Sequence, residues 1–175
     1  MTTPIIAGDA ALGPVYFWRE FEQPYGFLSQ WYESAFEVDG VTYVTAEMWM
    51  MVQKAGLFGD EETAQAMMKT TVPSEHQALG RKARGFDRGK WDEHKSRIVE
   101  EGNYHKFTKG KESTEMARLL LATGERELVE ASPTDRIWGV GFAAANAGDN
   151  REQWGENRLG KAIMNVRQKL REEGR

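Results

Sequence analysis

Apolar and polar positions along this chain follow two kinds of pattern, and the change falls near residue 45. Before it, short β-prone runs alternate with turn residues. Val15-Tyr16-Phe17-Trp18 is the first, and Pro24-Tyr25-Gly26 marks a turn after it. Ala35-Phe36-Glu37-Val38 and Val41-Thr42-Tyr43-Val44 are then joined by Asp39-Gly40. Asp-Gly suits the positive-φ turn that tight hairpins prefer, so this stretch predicts a β-hairpin. Beyond it the spacing becomes helical. Thr45 is placed to cap a helix running to about Ala55, with Gly56 as its stop. Asp60 opens a second helix to about Lys69, with Ala64, Met67 and Met68 on one side, and Pro73-Ser74 opens a third. Residues 86–110 carry Trp91, Ile98, Val99, Tyr104 and Phe107, with Gly102 as a weak point. Glu112 to Ala122 is helical and stops at Thr123-Gly124. Residues 125–130 read as a short helix or a strand. Residues 132–156 read as a long irregular loop, whose Trp138 and Trp154 argue against disorder. Asn157 then caps a last helix with an apolar stripe at Leu159, Ala162, Ile163, Val166 and Leu170. The fold expected is α+β and mostly helical, a single domain over residues 15–175 with a small β-hairpin or sheet near the N-terminus. A leader, residues 1–14, precedes it.

Composition narrows the function. Lys and Arg number 23 against 27 Asp and Glu, a net charge of −4. This argues against nucleic-acid or anionic-membrane binding by global charge and leaves room for a local basic patch. The chain has no Cys, which excludes disulfides, thiolate nucleophiles and Cys-based metal sites. No apolar run approaches a membrane span, and the first residues lack the basic start and apolar core of a secretory signal. A soluble, cytoplasmic protein with no membrane association and no obligate protein partner is expected. Its 6 Trp residues are many for 175 residues, and Trp usually fills a core or walls a pocket.

Three stretches concentrate candidate chemistry. In Thr45-Ala46-Glu47-Met48-Trp49-Met50-Met51-Val52-Gln53-Lys54-Ala55, Glu47 and Lys54 are seven residues apart and share a helix face to within about 20°. Met50 and Met51 lie between them. Burial there raises a Glu pKa and lowers a Lys pKa, which suits one to acid/base work and the other to nucleophilic attack. The plainer alternative is that Glu47 complements the helix N-terminus and Lys54 snorkels to water. In Ser132-Pro133-Thr134-Asp135-Arg136-Ile137-Trp138, a helical turn would point the Asp135 carboxylate and the Trp138 indole the same way. A carboxylate beside an aromatic platform suits a sugar–base substrate, and Asp135 fits a capping role equally well. Gly139-x-Gly141 is no dinucleotide fingerprint, since neither strand nor helix frames it. Its glycines fit a tight backbone near a ligand. In Arg81 to Trp91, positive charge gathers beside an aromatic. Arg81 and Arg84 are candidates for phosphate contact with Trp91 as anchor, against a solvated face and a core Trp. His76, His94 and His105 lack metal-ligand spacing, so no metal is assigned.

Taken in order, these motifs resemble a known family. They are Gly26-Phe27-Leu28-Ser29-Gln30-Trp31-Tyr32, Thr45-Ala46-Glu47 leading to Gln53-Lys54-Ala55, Gly80-Arg81, Trp91, Lys106-Phe107, Leu119-Leu120-Leu121-Ala122-Thr123-Gly124, Glu130-Ala131-Ser132-Pro133, Asp135 through Gly141, and Trp154-Gly155-Glu156-Asn157 through Met164. The chain from about residue 16 onward resembles the NADAR (YbiA-like) family, with Gln30 departing from the Asn frequent in that family. The resemblance implies an N-glycosidase that needs no cofactor and cleaves a ribose C1–N bond. One branch acts on early riboflavin-pathway ribosylaminopyrimidine phosphates, another on ADP-ribosylated guanine, free or in nucleic acid. It implies functional roles for Glu47, Trp91, Asp135 and Trp138, and a covalent role for Lys54. The alternative is a non-catalytic module that binds ADP-ribose or a nucleotide in the same pocket.

Overall fold

The computed structural model describes residue 8 and residues 10–175. The leader expected over residues 1–14 therefore lies partly outside the described residues. The chain divides into two compact units, one of residues 33–113 and the other of the N-terminal residues to Tyr32 with residues 114–175.

The N-terminal strand β1 (Val15–Phe17) belongs to the second unit; in the first, the hairpin consists of β2 (Phe36–Val38) and β3 (Val41–Tyr43), paired antiparallel. Asp39 and Gly40 both have positive φ, 51° and 78°, the two-residue turn expected from Asp-Gly. Phe36 and Tyr43 sit opposite each other and their rings stack at 5.7 Å. Four helices follow. They are α1 (Ala46–Leu57), α2 (Glu61–Met67), α3 (Pro73–Arg81) and α4 (Arg88–Lys109). Thr45 caps α1 by accepting the Met48 N–H at 3.1 Å. Gly56 lies within α1, and the chain reverses instead at Gly59, whose φ is +70°.

Helix α1 is buried from Ala46 through Val52 and at Ala55, because α2, α3 and α4 all pack on it. A helix covered on every side needs apolar residues on every side, and Met48-Trp49-Met50-Met51-Val52 supplies them. The Trp49 indole N–H donates to the Ile98 carbonyl at 3.0 Å. Gly102, the expected weak point of α4, is where that ring lies, since a Cβ there would come within 2.4 Å of it. In α2, Met67 is fully buried, whereas Met68, expected beside it, is exposed after the helix ends. His76 is fully buried. Its Nε2 lies 3.0 Å from the carbonyls of Met67 and Thr70, tying the α2–α3 connection to α3.

In the second unit, β1 (Val15–Phe17) pairs in parallel with β4 (Leu128–Glu130), so residues 125–130 resolve as a strand. Helix α5 (Ser113–Ala122) ends before Gly124, whose φ is +58° and whose Cα a Cβ on Gly8 would approach to 3.0 Å. Arg126 donates to the carbonyls of Gly13 (2.9 Å) and Pro14 (3.2 Å), so the described end of the leader is held. Residues 132–156 are not wholly irregular, for they include α6 (Ala144–Ala147) and a 3-10 stretch, Gly148–Gln153. Trp154 pins this region by donating its indole N–H to the Ala147 carbonyl at 2.7 Å. It packs on the small core of Val129, Val140 and Ala147.

The last helix, α7 (Arg158–Glu172), buries the expected stripe. Asn157 stands at its N-cap position but does not cap it. The residue is left-handed (φ 49°), and its side chain joins β4 instead. Its Oδ1 accepts from the Glu130 N–H at 3.0 Å and its Nδ2 donates to the Leu128 carbonyl at 2.9 Å. The first N–H groups of the helix find other acceptors, the carbonyls of Ile137 and Trp138.

Candidate active site

Four of the predicted site residues meet in the unit of residues 33–113. Helix α1 carries Glu47 in its first turn and Lys54 two turns later. Glu47 is buried, with 5% of its surface exposed. Helix α3 ends at Arg81 and α4 begins with Trp91 in its first turn, capped by Asp87 accepting the Lys90 N–H at 2.7 Å. The Lys54 ammonium lies 5.3 Å from the centre of the buried Trp91 ring and 4.9 Å from that of Phe86. Burial pushes the Lys54 amine below the usual lysine range. The Glu47 charge opposes this and the Arg81 charge adds to it. Lys54 is half-buried between aromatic faces and does not simply snorkel to water.

Arg81 is exposed and bonds only loosely to Gln77, at 3.3 Å. Arg84 is employed differently from the phosphate contact expected of it. Its guanidinium pairs with Asp60 at 3.1 Å and Glu62 at 2.7 Å, and its backbone N–H donates to Asp60 at 2.8 Å. Two carboxylates already hold that guanidinium, so it serves to fasten the chain.

Asp135 and Trp138 belong to the other unit. The helical turn that would have aligned them does not form, since residues 133–134 are a turn and 136–139 a series of bends. Asp135 instead folds the segment itself. One carboxylate oxygen accepts the N–H groups of both Ile137 and Trp138 at 2.8 Å. The carbonyls of residues 136–140 in turn accept N–H groups from residues 155–159. Gly155 makes this close backbone approach possible, since a Cβ on it would meet the Arg136 backbone. Asp135 and Trp138 are both half-buried.

Three residues without an assigned role stand out. Phe86 is an exposed aromatic against Lys54. Asp60, noted only as a helix opener, fastens Arg84. Lys106 is fully buried, and burial alone holds its amine at about 7. Lys106 and Lys95, the two buried lysines of α4, have a sequence signal. Trp91, Lys95, Ile98, Gly102 and Lys106 form one helical stripe, so both amines stand on the inward face. No group of three His, Asp or Glu among the described residues could hold a metal ion, and no helix among them is long and apolar enough to cross a membrane.

This arrangement offers a shielded amine and a buried carboxylate on one helix face, flanked by an indole and a guanidinium. It is equipped to attack or protonate a polar bond beside a flat group. The NADAR domain family model matches residues 16–171, through both units. N-glycosidase R617 of Acanthamoeba polyphaga mimivirus is 40% identical over 148 residues, 81% of this chain and 85% of that one. The riboflavin biosynthesis protein VVA0006 of Vibrio vulnificus (strain YJ016) is 30% identical over 91% of this chain, which spans 39% of that longer protein. The NMR structure of the Escherichia coli protein YbiA superposes with a TM-score of 0.72 at 27% identity, covering 93% of this chain and 87% of that one. The chain belongs to the NADAR family. Within it, this protein is an enzyme, an N-glycosidase.

Proposed function

We propose that this N-glycosidase hydrolyses the C1–N bond between a phosphorylated ribose and a nitrogen base. The observation that carries the reading is the Lys54 amine, set between two aromatic faces and displaced by burial toward its neutral form. Breaking the bond builds positive charge at C1 and negative charge on the departing nitrogen. Glu47 acts as the acid that protonates that nitrogen and as the base that later activates water. Neutral Lys54 attacks C1 as the base leaves with the proton. The ribose ring opens, its ring oxygen taking a proton, and water then hydrolyses the resulting imine to free sugar and amine. Trp91 walls the base, and Arg81 faces the phosphate. In the other unit, Asp135 is proposed as a carboxylate for a cationic sugar and Trp138 as an indole for a base. Arg84, paired with Asp60 and Glu62, is left out of this reading.

The substrate is a ribosylaminopyrimidine phosphate of early riboflavin synthesis, or ADP-ribosylated guanine. The Vibrio relative, named a riboflavin biosynthesis protein, favours the first. Side-by-side assays on both, the second presented in DNA, identify the substrate. Borohydride added during turnover should trap a ribosyl adduct on the wild-type protein and none on Lys54→Ala. Turnover of either substrate without an adduct would remove the covalent step. Binding of ADP-ribose with no cleavage across both substrates would make the protein a reader of that ligand instead.

A further inference from the structure

Residues 82–87 connect α3 to α4 and are fastened at two points. On one side, Asp60 accepts from Arg84 through both its backbone N–H (2.8 Å) and its guanidinium (3.1 Å). Asp60 is itself fixed as the cap of α2, accepting from Thr63 N–H at 3.2 Å and Thr63 hydroxyl at 2.6 Å. On the other side, Lys90 donates its ammonium to the Leu57 carbonyl at 3.0 Å. Gly85 turns the segment with φ +72°, its Cβ position 3.3 Å from the Phe58 carbonyl oxygen. The segment thus holds out one apolar side chain, Phe86. Its ring meets Phe58 edge-on at 5.4 Å and covers Lys54 at 4.9 Å. Almost half of Phe86 is exposed, at 48%. An exposed Phe in a run of charges, clamped from both sides, is not explained by core packing.

We infer that Phe86 is a positioning residue that shields the Lys54 amine from water and so keeps it available as a nucleophile, with the Asp60–Arg84 clasp holding the ring in place. This rests on the reading of Lys54 as the attacking amine. An aromatic face also attracts an ammonium, which opposes the effect of water exclusion. Burial is nevertheless the dominant influence on Lys54, whose amine lies below its usual range despite the Glu47 charge. The charged groups around it are Glu47 on its own helix and Arg81 from α3. Asp60 at the start of α2 and Arg84 from the 82–87 segment are paired with each other, and from α4 Lys90 is bonded to Leu57 while Arg88 pairs with Asp92. None of them is altered by replacing Phe86.

The test measures Lys54 acetylation by a succinimidyl ester as a function of pH, read by peptide mass spectrometry with exposed Lys82 as internal reference. In Phe86→Ala the midpoint for Lys54 should rise by about one pH unit, making the amine about tenfold less reactive at neutral pH. Phe86→Leu, apolar without a π face, should restore the wild-type midpoint. Asp60→Asn should shift Lys54 upward by less, and Lys82 should not move in any variant. An unchanged or lowered midpoint in Phe86→Ala, or a Leu variant that behaves like Ala, overturns the inference. Cleavage assays on the same proteins separate it from the reading beneath. A shifted midpoint in a protein that cleaves neither substrate keeps the shielding and sinks the glycosidase mechanism. Intact cleavage with an unshifted midpoint does the reverse.

Discussion

The helix face carrying Glu47 and Lys54 and the turn carrying Asp135 and Trp138 hold their acidic residues in opposite ways. In α1 the backbone satisfies itself, N–H to carbonyl, after Thr45 has capped the first turn. The Lys54 side chain takes no part in maintaining it, so its amine responds to burial and to the Glu47 charge. Around Asp135 no repeating backbone pattern exists. There the carboxylate must accept two N–H groups, and residues 155–159 must supply partners for the carbonyls of 136–140. The amine on regular structure is tuned by its surroundings, whereas the carboxylate on irregular structure first has to build its own.

The largest effect follows at once. Glu47→Gln keeps the shape of the buried side chain and removes its proton chemistry, so kcat should fall by about 10²–10⁴-fold with little change in folding. A folded Glu47→Gln protein turning over at the wild-type rate would remove Glu47 from the mechanism and leave the helix face with a structural carboxylate.

Glycines sharpen the contrast on the stability side. A Cβ on Gly80 would meet the Met51 sulfur, the end of a flexible side chain that can move away. A Cβ on Gly155 would meet the Arg136 backbone, which cannot move without breaking the 136–140 hydrogen bonds. Urea melts should therefore show Gly155→Ala losing about 3 kcal/mol and Gly80→Ala within about 1 kcal/mol of wild type, helped by the helix preference for Ala. Equal losses would mean that the loop is as adaptable as the helix packing.

Asp135 can be divided into its two duties. Asp135→Asn retains an oxygen able to accept from Ile137 and Trp138 and loses the charge. Asp135→Ala loses both. The Ala variant should be less stable than wild type by about 1–3 kcal/mol, and most of that loss should be absent in Asn. If both lose activity alike while only Ala loses stability, the charge serves the reaction and the oxygen serves the turn.

The same contrast explains what could be read from the amino-acid order. The hairpin at Asp39-Gly40, the Thr45 and Asp60 caps and the α7 stripe are local signals, each set by residues within a turn or two, and they appear as expected. Asn157 misled because its residue type suits a cap, while the vacancy it fills lies on β4, 27 and 29 residues away. The pairing of Arg84 was hidden in the same manner, since its partners Asp60 and Glu62 are 24 and 22 residues back. The Glu47–Lys54 face was legible from helical spacing, but its Phe86 cover was not, because a side chain on a connecting segment has no period to reveal where it points.

Asp60 is the residue that presses hardest on the comparison, since it lies among helices yet is used as Asp135 is. Its carboxylate caps α2 and fastens Arg84, and those hydrogen bonds, the Arg84 backbone N–H foremost, hold it well below the usual carboxylate range. A carboxyl depressed in the folded state stabilises fully above its unfolded value, 3.8, and loses that contribution as pH falls through the folded value. The effect is confined to acid. Between about pH 4 and pH 2 the wild-type melting temperature should drop more steeply than that of Asp60→Asn, and the two curves should converge toward the acid end. Parallel curves would show that the Asp60 charge adds nothing to its hydrogen bonds. A steeper wild-type fall would show that the Asp60 charge, like the Asp135 carboxylate, is engaged in holding backbone N–H groups in place.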